Sequence, residues 1–266
     1  MKSWKKRALA LTMAALVVLS GCTFPFGQGN DGDGAPVDNV DVSDAYFGLA
    51  WYRSGTTLNP VMDGTEVNSM LREALYEGLF EIKNDFTLEN ELCEDYTSDG
   101  TTFSFTIKKG IKFWSGAELT ASDVAESLKT VLENESSPYH NRLTEVSSIE
   151  AVTKRMVRIT LASPNVNFPK LLDIPIYRAG TTDEGEFAEG TGPYKPVRNG
   201  AAWTLEANEN WHGGFLGTIR HITLVKMTRA DAADTSFRTG DVSIMRSARI
   251  APDDQNIAFT GEVDTV

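Results

Sequence analysis

The feature that most constrains the fold is a set of short segments in which apolar and polar residues alternate, interleaved with segments of helical spacing. Residues 102–108 read Thr-Phe-Ser-Phe-Thr-Ile-Lys, and residues 156–161 alternate in the same way. A period of two predicts strands with one buried face. Between them, residues 120–132 place apolar side chains three or four positions apart, which predicts a helix. The chain is therefore predicted to be a mixed α/β protein.

The same patterns predict the remaining elements. Apolar residues recur at helical spacing up to residue 79, so we expect a helix over residues 65–79, and another over residues 229–239 that ends at a glycine. Apolar and aromatic runs bounded by turn residues predict further strands. These strands are expected at residues 45–52, 148–153, 194–197, 203–207, 221–227 and 241–245.

The first 22 residues have the pattern of an export signal. Four basic residues precede an apolar run over residues 8–19, which is shorter than the roughly 20 residues that span a bilayer. The run ends in Leu-Ser-Gly-Cys, which resembles the lipobox of bacterial lipoproteins. We therefore expect residues 1–21 to be a signal peptide and Cys22 to be the acylated first residue of the mature protein. An ordinary secretory signal with an incidental cysteine is the alternative.

The composition of the chain limits the kinds of molecule that it can bind. Residues 22–44 are rich in Gly and Asp, which predicts a flexible tether that cannot bury a core. The whole chain has 25 basic and 37 acidic residues, which gives a net charge of −12. Removal of the signal peptide takes away basic residues and no acidic ones, so the mature chain is more negative still. So acidic a chain argues against a nucleic-acid partner. Once Cys22 is acylated, Cys93 is the one remaining thiol, so we expect a buried free cysteine.

An enzyme is disfavoured because the usual constellations are missing from the sequence. The three histidines show no spacing of the H-E-x-x-H kind, and no G-x-S-x-G elbow is present. The carboxylates are scattered along the chain. We therefore predict no catalytic residues, no metal site and no cofactor.

The order of short motifs carries a family resemblance. The series runs through Leu-Asn-Pro at 58–60, Leu-Tyr-Glu-Gly-Leu-Phe at 75–80, the 102–113 segment, Gly-Ala-Glu-Leu-Thr-Ala-Ser-Asp-Val at 116–124, Val-Arg-Ile-Thr-Leu at 157–161, Gly-Thr-Gly-Pro-Tyr at 190–194, Asn-Glu-Asn-Trp-His-Gly-Gly at 208–214 and Phe-Arg-Thr-Gly-Asp-Val at 237–242. In this order the motifs resemble the family 5 extracellular solute-binding proteins of ABC transporters, which bind oligopeptides, dipeptides and nickel. The chain departs from the family at Trp114-Ser115, where His-Asp is usual, and at Cys93-Glu94-Asp95-Tyr96, where Ala-x-x-Trp is usual.

The resemblance implies a domain organisation. It predicts a lobe of the type II periplasmic-binding-protein kind with an inserted smaller α+β domain. The lobe would comprise residues 45–60 and 180–250, and the inserted domain residues 61–179. Because the family is considerably longer than this chain, we expect the second lobe to be missing and residues 251–266 to be its truncated start.

The resemblance also implies a function and a site. It predicts a lipid-anchored substrate-binding component of an ABC importer for peptides or similar small solutes, which works with permease and ATPase subunits at the cell membrane, facing the extracellular side or the periplasm. Glycines in the 190–194 turn would let the backbone approach a solute. The residues expected to contact the solute are Tyr52, Arg53, Ser54, Thr191, Gly192 and Tyr194; sheet packing is the alternative for the tyrosines, and plain turn chemistry for Gly192. A non-transport binding or scaffold lipoprotein, or a fragment without a complete cleft, remains the alternative function, and the solute itself stays open.

Overall fold

The computed structural model describes residues 47–52, 57–182, 186–227 and 230–244, and it describes Tyr52 by its backbone alone. The mixed α/β composition predicted from the sequence is observed. In chain order the elements are β1 (Gly48–Tyr52), α1 (Glu66–Leu75), β2 (Phe80–Ile82), β3 (Leu88–Asn90), β4 (Cys93–Ser98), β5 (Thr102–Ile107), α2 (Ala121–Glu133), β6 (Val146–Thr153), β7 (Met156–Leu161), β8 (Tyr194–Asn199), β9 (Ala202–Ala207), β10 (His221–Met227) and α3 (Ala230–Thr239), with short 3₁₀ helices at His140–Arg142 and Phe168–Leu171.

One four-stranded sheet, which we call the second sheet, has the order β4-β5-β7-β6 and is antiparallel throughout. The predicted period of two is confirmed in β5 and β7, where every second residue is buried. On β5 the buried face consists of Phe103, Phe105 and Ile107. Alternation of this kind lets one face of the sheet contribute to the core while the other meets solvent.

Helix α2 begins where the sequence predicts. The backbone N–H and the hydroxyl of Thr120 both donate to Oδ2 of Asp123, at 2.9 and 2.6 Å. The other oxygen, Oδ1, accepts the backbone N–H of Ala179 at 3.0 Å. Asp123 therefore satisfies donors at the start of the helix and also fixes a distant loop against it.

The other four-stranded sheet, which we call the first sheet, has the order β1-β10-β9-β8. Strand β1 runs parallel to β10, with Gly48 opposite Thr223 and Tyr52 opposite Met227, whereas the other pairs are antiparallel. The pairing of the first strand with strands beyond residue 190, which the family resemblance implies, is present. The domain bounds at residues 60, 61, 179 and 180 stay a prediction.

Helix α1 is shorter than predicted, because it ends at Leu75 instead of residue 79. Tyr76 is already extended, and Glu77 forms an isolated antiparallel bridge with Ile176. Leu79 remains fully buried, so its apolar spacing reflects the core and not the helix. Tertiary pairing has overridden a helical pattern.

The predicted strand at residues 241–245 is wrong over the residues described. Gly240 ends α3 with φ +82°, and Val242 then donates back to Ser236 of the helix. The backbone N–H groups of Ser243 and Ile244 both donate to the carbonyl oxygen of Gly48, and Ile244 forms an isolated parallel bridge to Leu49. The chain turns around the helix end before it reaches β1, so residues 241–243 form no strand.

A single apolar cluster joins the two sheets, with Phe105 and Leu205 among its buried members. A smaller cluster on the other side of β1 consists of Ala50, Met227, Ala233 and Val242. Cys93 lies in the large cluster as a buried free thiol, as predicted, and burial raises its pKa to about 12. Such a thiol is protonated and inert at neutral pH.

Candidate functional site

Three of the predicted contact residues fall in one described segment, residues 190–194, which leads into β8. Thr191 and Gly192 are buried there, and Tyr194 is half-buried. The Thr191 hydroxyl has no hydrogen-bond partner among the described residues. Tyr52 ends β1, whereas Arg53, Ser54 and Cys22 lie outside the described residues. The solute contacts of the other six residues and the lipidation of Cys22 stay predictions.

The glycines of the 190–194 segment are required by helix α1. A Cβ atom on Gly190 would overlap the carbonyl oxygen of Leu75, and one on Gly192 would lie 2.6 Å from the Leu75 carbonyl carbon. The backbone N–H of Gly192 also donates to the Leu75 carbonyl oxygen at 3.0 Å. Close approach of backbone to backbone is a recognised use of glycine, and the backbone approached here is that of the helix end.

The loop that follows β9 also holds the 190–194 segment by hydrogen bonds. The side-chain amide of Asn208 donates to the carbonyl oxygen of Gly192, and its backbone N–H donates to that of Pro193, both at 2.8 Å. Asn208 is 1% exposed. Its own carbonyl and side-chain oxygens accept the backbone N–H groups of Trp211 and Asn210, each at 3.0 Å. One buried asparagine therefore joins the segment to the 208–214 loop.

Aromatic side chains cover the start of the segment. The backbone N–H of Trp114 donates to Gly190 at 3.2 Å, and the Tyr76 hydroxyl donates to Ala188 at 2.8 Å. The two rings lie 6.2 Å apart between centroids. Burial raises the pKa of Tyr76, so its hydroxyl remains a neutral donor.

A buried carboxylate, Glu189, lies immediately before the segment. Its Oε1 accepts the backbone N–H of Ser115 at 2.7 Å, and its Oε2 pairs with the Arg178 guanidinium at 2.9 Å. The hydrogen bond to Glu189 raises the pKa of Arg178 above its ordinary value. The carboxylate thus holds two loops together, in keeping with the rule that buried charges are paired.

A second buried carboxylate, Glu77, contacts the 208–214 loop. Its Oε1 accepts the indole Nε1–H of Trp211 at 3.0 Å and lies 2.9 Å from Nε2 of His212. Its Oε2 is buried without a partner among the described residues. Glu77 and Trp211 both lie in motifs of the recognised series, but no local pattern in the sequence indicates that they meet.

Tyr194 is fixed by protein contacts. Its hydroxyl donates to the carbonyl oxygen of Ile219 at 2.7 Å, and its ring meets the Phe215 ring edge-on at 5.2 Å. Burial raises the pKa of Tyr194. These contacts supply the packing role that was the alternative to solute contact.

Two cavities lie in the described part of the chain away from the 190–194 segment. A polar one of about 710 Å³ lies beside α1, β2 and β3, and the half-buried carboxyl of Glu91 is in its wall. Burial raises the pKa of Glu91 to about 8, and Oε2 of its carboxyl group accepts the backbone N–H of Gly78 at 2.7 Å. The other cavity, of about 350 Å³, lies between Thr57 and Tyr177.

The described residues contain no group of three or more His, Cys, Asp or Glu side chains arranged to hold a metal ion. Within the same ranges, no helix has the length and apolar character needed to cross a membrane.

Comparison with known proteins identifies the sequence pattern. Residues 87–263 match the family model described as "Bacterial extracellular solute-binding proteins, family 5 Middle". The glutathione-binding protein GsiB of Salmonella choleraesuis is 31% identical over 156 residues, and that of Escherichia coli strain K12 is 30% identical over 155 residues. Each match covers 53% of this chain and 30% of the relative.

Solved structures share the fold. The oligopeptide-binding protein AppA of Bacillus subtilis, in complex with a nonapeptide, aligns with a TM-score of 0.62 at 22% identity. NikA of Brucella suis, in complex with Fe(III)-EDTA, aligns with a TM-score of 0.63 at 21% identity. The alignments cover 74% and 75% of this chain, but only 42% and 43% of the respective structures. The chain thus spans less than half of the proteins that it resembles.

Proposed function

The chain belongs to the bacterial extracellular solute-binding proteins of family 5, and from that premise we propose that it is the lipid-anchored solute-binding component of an ABC importer. The observation that carries this proposal is the family match over residues 87–263. The fold, α/β and of the type II periplasmic-binding-protein kind, agrees with it. Its partners would be the permease and ATPase subunits of the importer.

We propose a peptide or a similarly small polar compound as the solute. GsiB is named for glutathione, which is a tripeptide, and AppA was solved with a nonapeptide. The proposed contacts are Tyr52, Arg53, Ser54, Thr191, Gly192 and Tyr194. In this arrangement the 190–194 segment forms part of one wall, and closure of a second wall over the solute supplies the binding free energy.

Uptake measurements test this function in the cell. We expect deletion of the gene to abolish uptake of labelled glutathione or of labelled peptides from a di- to pentapeptide pool. A wild-type copy should restore uptake of the same compound. Unchanged uptake of every probe in the deletion strain would contradict the proposal.

Calorimetry tests the proposed contacts. We expect Arg53→Ala to weaken binding of the transported compound by about tenfold, since loss of a charged contact costs roughly 1.5 kcal/mol or more. The control is Arg158→Ala, because Arg158 lies on β7 of the second sheet with an exposed ion pair to Glu150. Equal affinity for Arg53→Ala and the wild type would remove Arg53 from the site.

The lipid anchor is part of the proposal and has its own test. We expect Cys22→Ala to move the protein from the membrane fraction to the soluble one and to abolish labelling by palmitate, because the thiol of Cys22 starts the lipid attachment. The matched control is Cys93→Ala, which removes the buried thiol and should leave both properties unchanged. Membrane association that survives Cys22→Ala would contradict lipid anchoring.

A further inference from the structure

Glu77 connects two parts of the chain that separately hold the 190–194 segment. It lies two residues beyond the end of α1, and its side chain is 5% exposed. The residues that it contacts, Trp211 and His212, are 134 and 135 positions away along the chain. A buried carboxylate is costly to desolvate, so its place at this contact calls for a reason beyond filling space.

The segment is held at two places. On one side the Leu75 carbonyl oxygen at the end of α1 accepts the Gly192 N–H, and the absence of a side chain at Gly190 allows the two backbones to touch. On the other side Asn208 donates to the carbonyl oxygens of Gly192 and Pro193. Each attachment positions the segment relative to one neighbour alone.

The distance between those two neighbours must also be fixed if the segment is to keep one position. Among the described residues, Glu77 is the side chain that joins the α1 end to the 208–214 loop by hydrogen bonds. Its own backbone is held by the Ile176 N–H, which donates to the Glu77 carbonyl oxygen at 2.9 Å. The carboxylate therefore closes a ring of contacts that runs from α1 through the segment and the loop and back to α1.

We propose that Glu77 is a positioning residue for solute binding, which sets the place of the 190–194 segment by tying the 208–214 loop to the end of α1. The inference rests on the proposed function, because it assigns the segment to the wall of the solute site. Hydrogen bonds to a charged group are stronger than neutral ones, which suits a contact that has to hold two loops at one separation.

Trp211 provides a direct readout of this contact. Its indole N–H donates to the Glu77 carboxylate, so loss of the charge or of the acceptor should move the indole N–H resonance in a ¹⁵N-labelled sample. The chain has five tryptophans, and Trp211→Phe assigns the signal. Partial recovery of the resonance in Glu77→Gln, which keeps an acceptor oxygen, separates loss of the hydrogen bond from loss of packing.

The experiment compares Glu77→Ala with Glu77→Gln, which keeps an acceptor oxygen and loses the charge. Glu73→Ala is the matched control, because Glu73 is exposed on α1 one turn earlier. For each folded variant we measure the Trp211 indole shift, hydrogen exchange at residues 190–194 and 208–214, and affinity for glutathione and for a di- to pentapeptide pool.

We expect Glu77→Ala to shift the indole signal, to speed exchange in both segments at least tenfold, and to weaken solute binding about tenfold. Glu77→Gln should recover part of each effect, and Glu73→Ala should match the wild type. Unchanged exchange and affinity in Glu77→Ala would overturn the positioning role, and if that variant does not fold, Glu77→Gln and Trp211→Phe decide in its place. A wild-type protein that binds none of the probes, while Glu77→Ala still alters exchange, would instead overturn peptides as the proposed solute.

Discussion

The second sheet and the 190–194 segment show two different ways of fixing a backbone. In the second sheet, buried and half-buried residues alternate along β5 and β7, and the buried face is apolar. Around the segment, the buried groups include Glu77, Glu189, Thr191 and Asn208. Apolar burial is non-directional, whereas buried polar groups need particular partners. Apolar substitutions in the sheet should therefore be tolerated more readily than changes to the polar residues around the segment.

The largest effect is expected in the second sheet. Phe105 is fully buried against the rings of Phe103 and Phe80, each at 5.9 Å between centroids. Because truncation leaves a cavity, Phe105→Ala should lower the free energy of unfolding by about 4 kcal/mol in a urea titration. Ser104→Ala, on the other face of the same strand, should change it by less than about 0.5 kcal/mol. Similar losses for the two variants would break the comparison.

The next effect comes from the segment. Gly190→Ala would force a methyl group against the Leu75 carbonyl, so we expect a loss of about 2–3 kcal/mol in the free energy of unfolding. Gly64→Ala serves as the control, since its Cβ would approach no atom closer than 3.5 Å. Thermal unfolding of both variants measures the difference. If Gly190→Ala is as stable as Gly64→Ala, the glycine is not required by the helix end.

A smaller change in the free energy of unfolding, this time a gain, is expected from a substitution at Glu91. Its folded-state pKa of about 8 lies above the ordinary 4.5, so its contribution to stability is present below pH 4.5 and is lost as the pH rises to about 8. Because the carboxyl is partly exposed, we expect Glu91→Gln to stabilise the protein by only about 1 kcal/mol at pH 8. The gain should vanish at pH 4.

Urea titrations at the two pH values measure this change. Glu133→Gln is the control, because Glu133 is exposed at the end of α2 and should show neither the gain nor its pH dependence. A gain at Glu91 that persists at pH 4 would mean that packing, and not charge, is responsible.

The smallest effect is expected at the loop beside the segment. Leu216 is apolar but 93% exposed, so Leu216→Ser should change the free energy of unfolding by less than about 0.5 kcal/mol. Urea unfolding measures it. A loss above about 1 kcal/mol would show that apolar contact by Leu216 also stabilises the chain beside the 208–214 loop.

Local patterns in the sequence predicted three of the four strands of the second sheet, β5, β6 and β7, but not β4, in which only Cys93 is buried and no residues alternate. The period of two in β5 and β7 and the start of α2 at Thr120 each depend on residues a few positions apart. The end of α1 was wrong because Ile176, far along the chain, bridges Glu77 and removes it from the helix.

Local sequence patterns could not predict the contacts of the candidate site. The sequence predicts that glycines at 190–194 let the backbone approach a solute, with turn chemistry as the alternative for Gly192. It gives no sign of the close approach to Leu75 that the structure shows for Gly190 and Gly192. Nothing near Glu77 in the sequence indicates Trp211 as its partner. Hydrogen bonds between residues more than a hundred positions apart leave no periodic pattern, so only the structure reveals them.

The parallel pairing of β1 with β10 also has a consequence for the order in which the two sheets form. The second sheet has all its strands within the first 161 residues, whereas Gly48 pairs with Thr223, 175 positions further along the chain. The long loop makes the closure entropically slow. The wall that we assign to the solute therefore assembles last, around a second sheet whose strands are already complete.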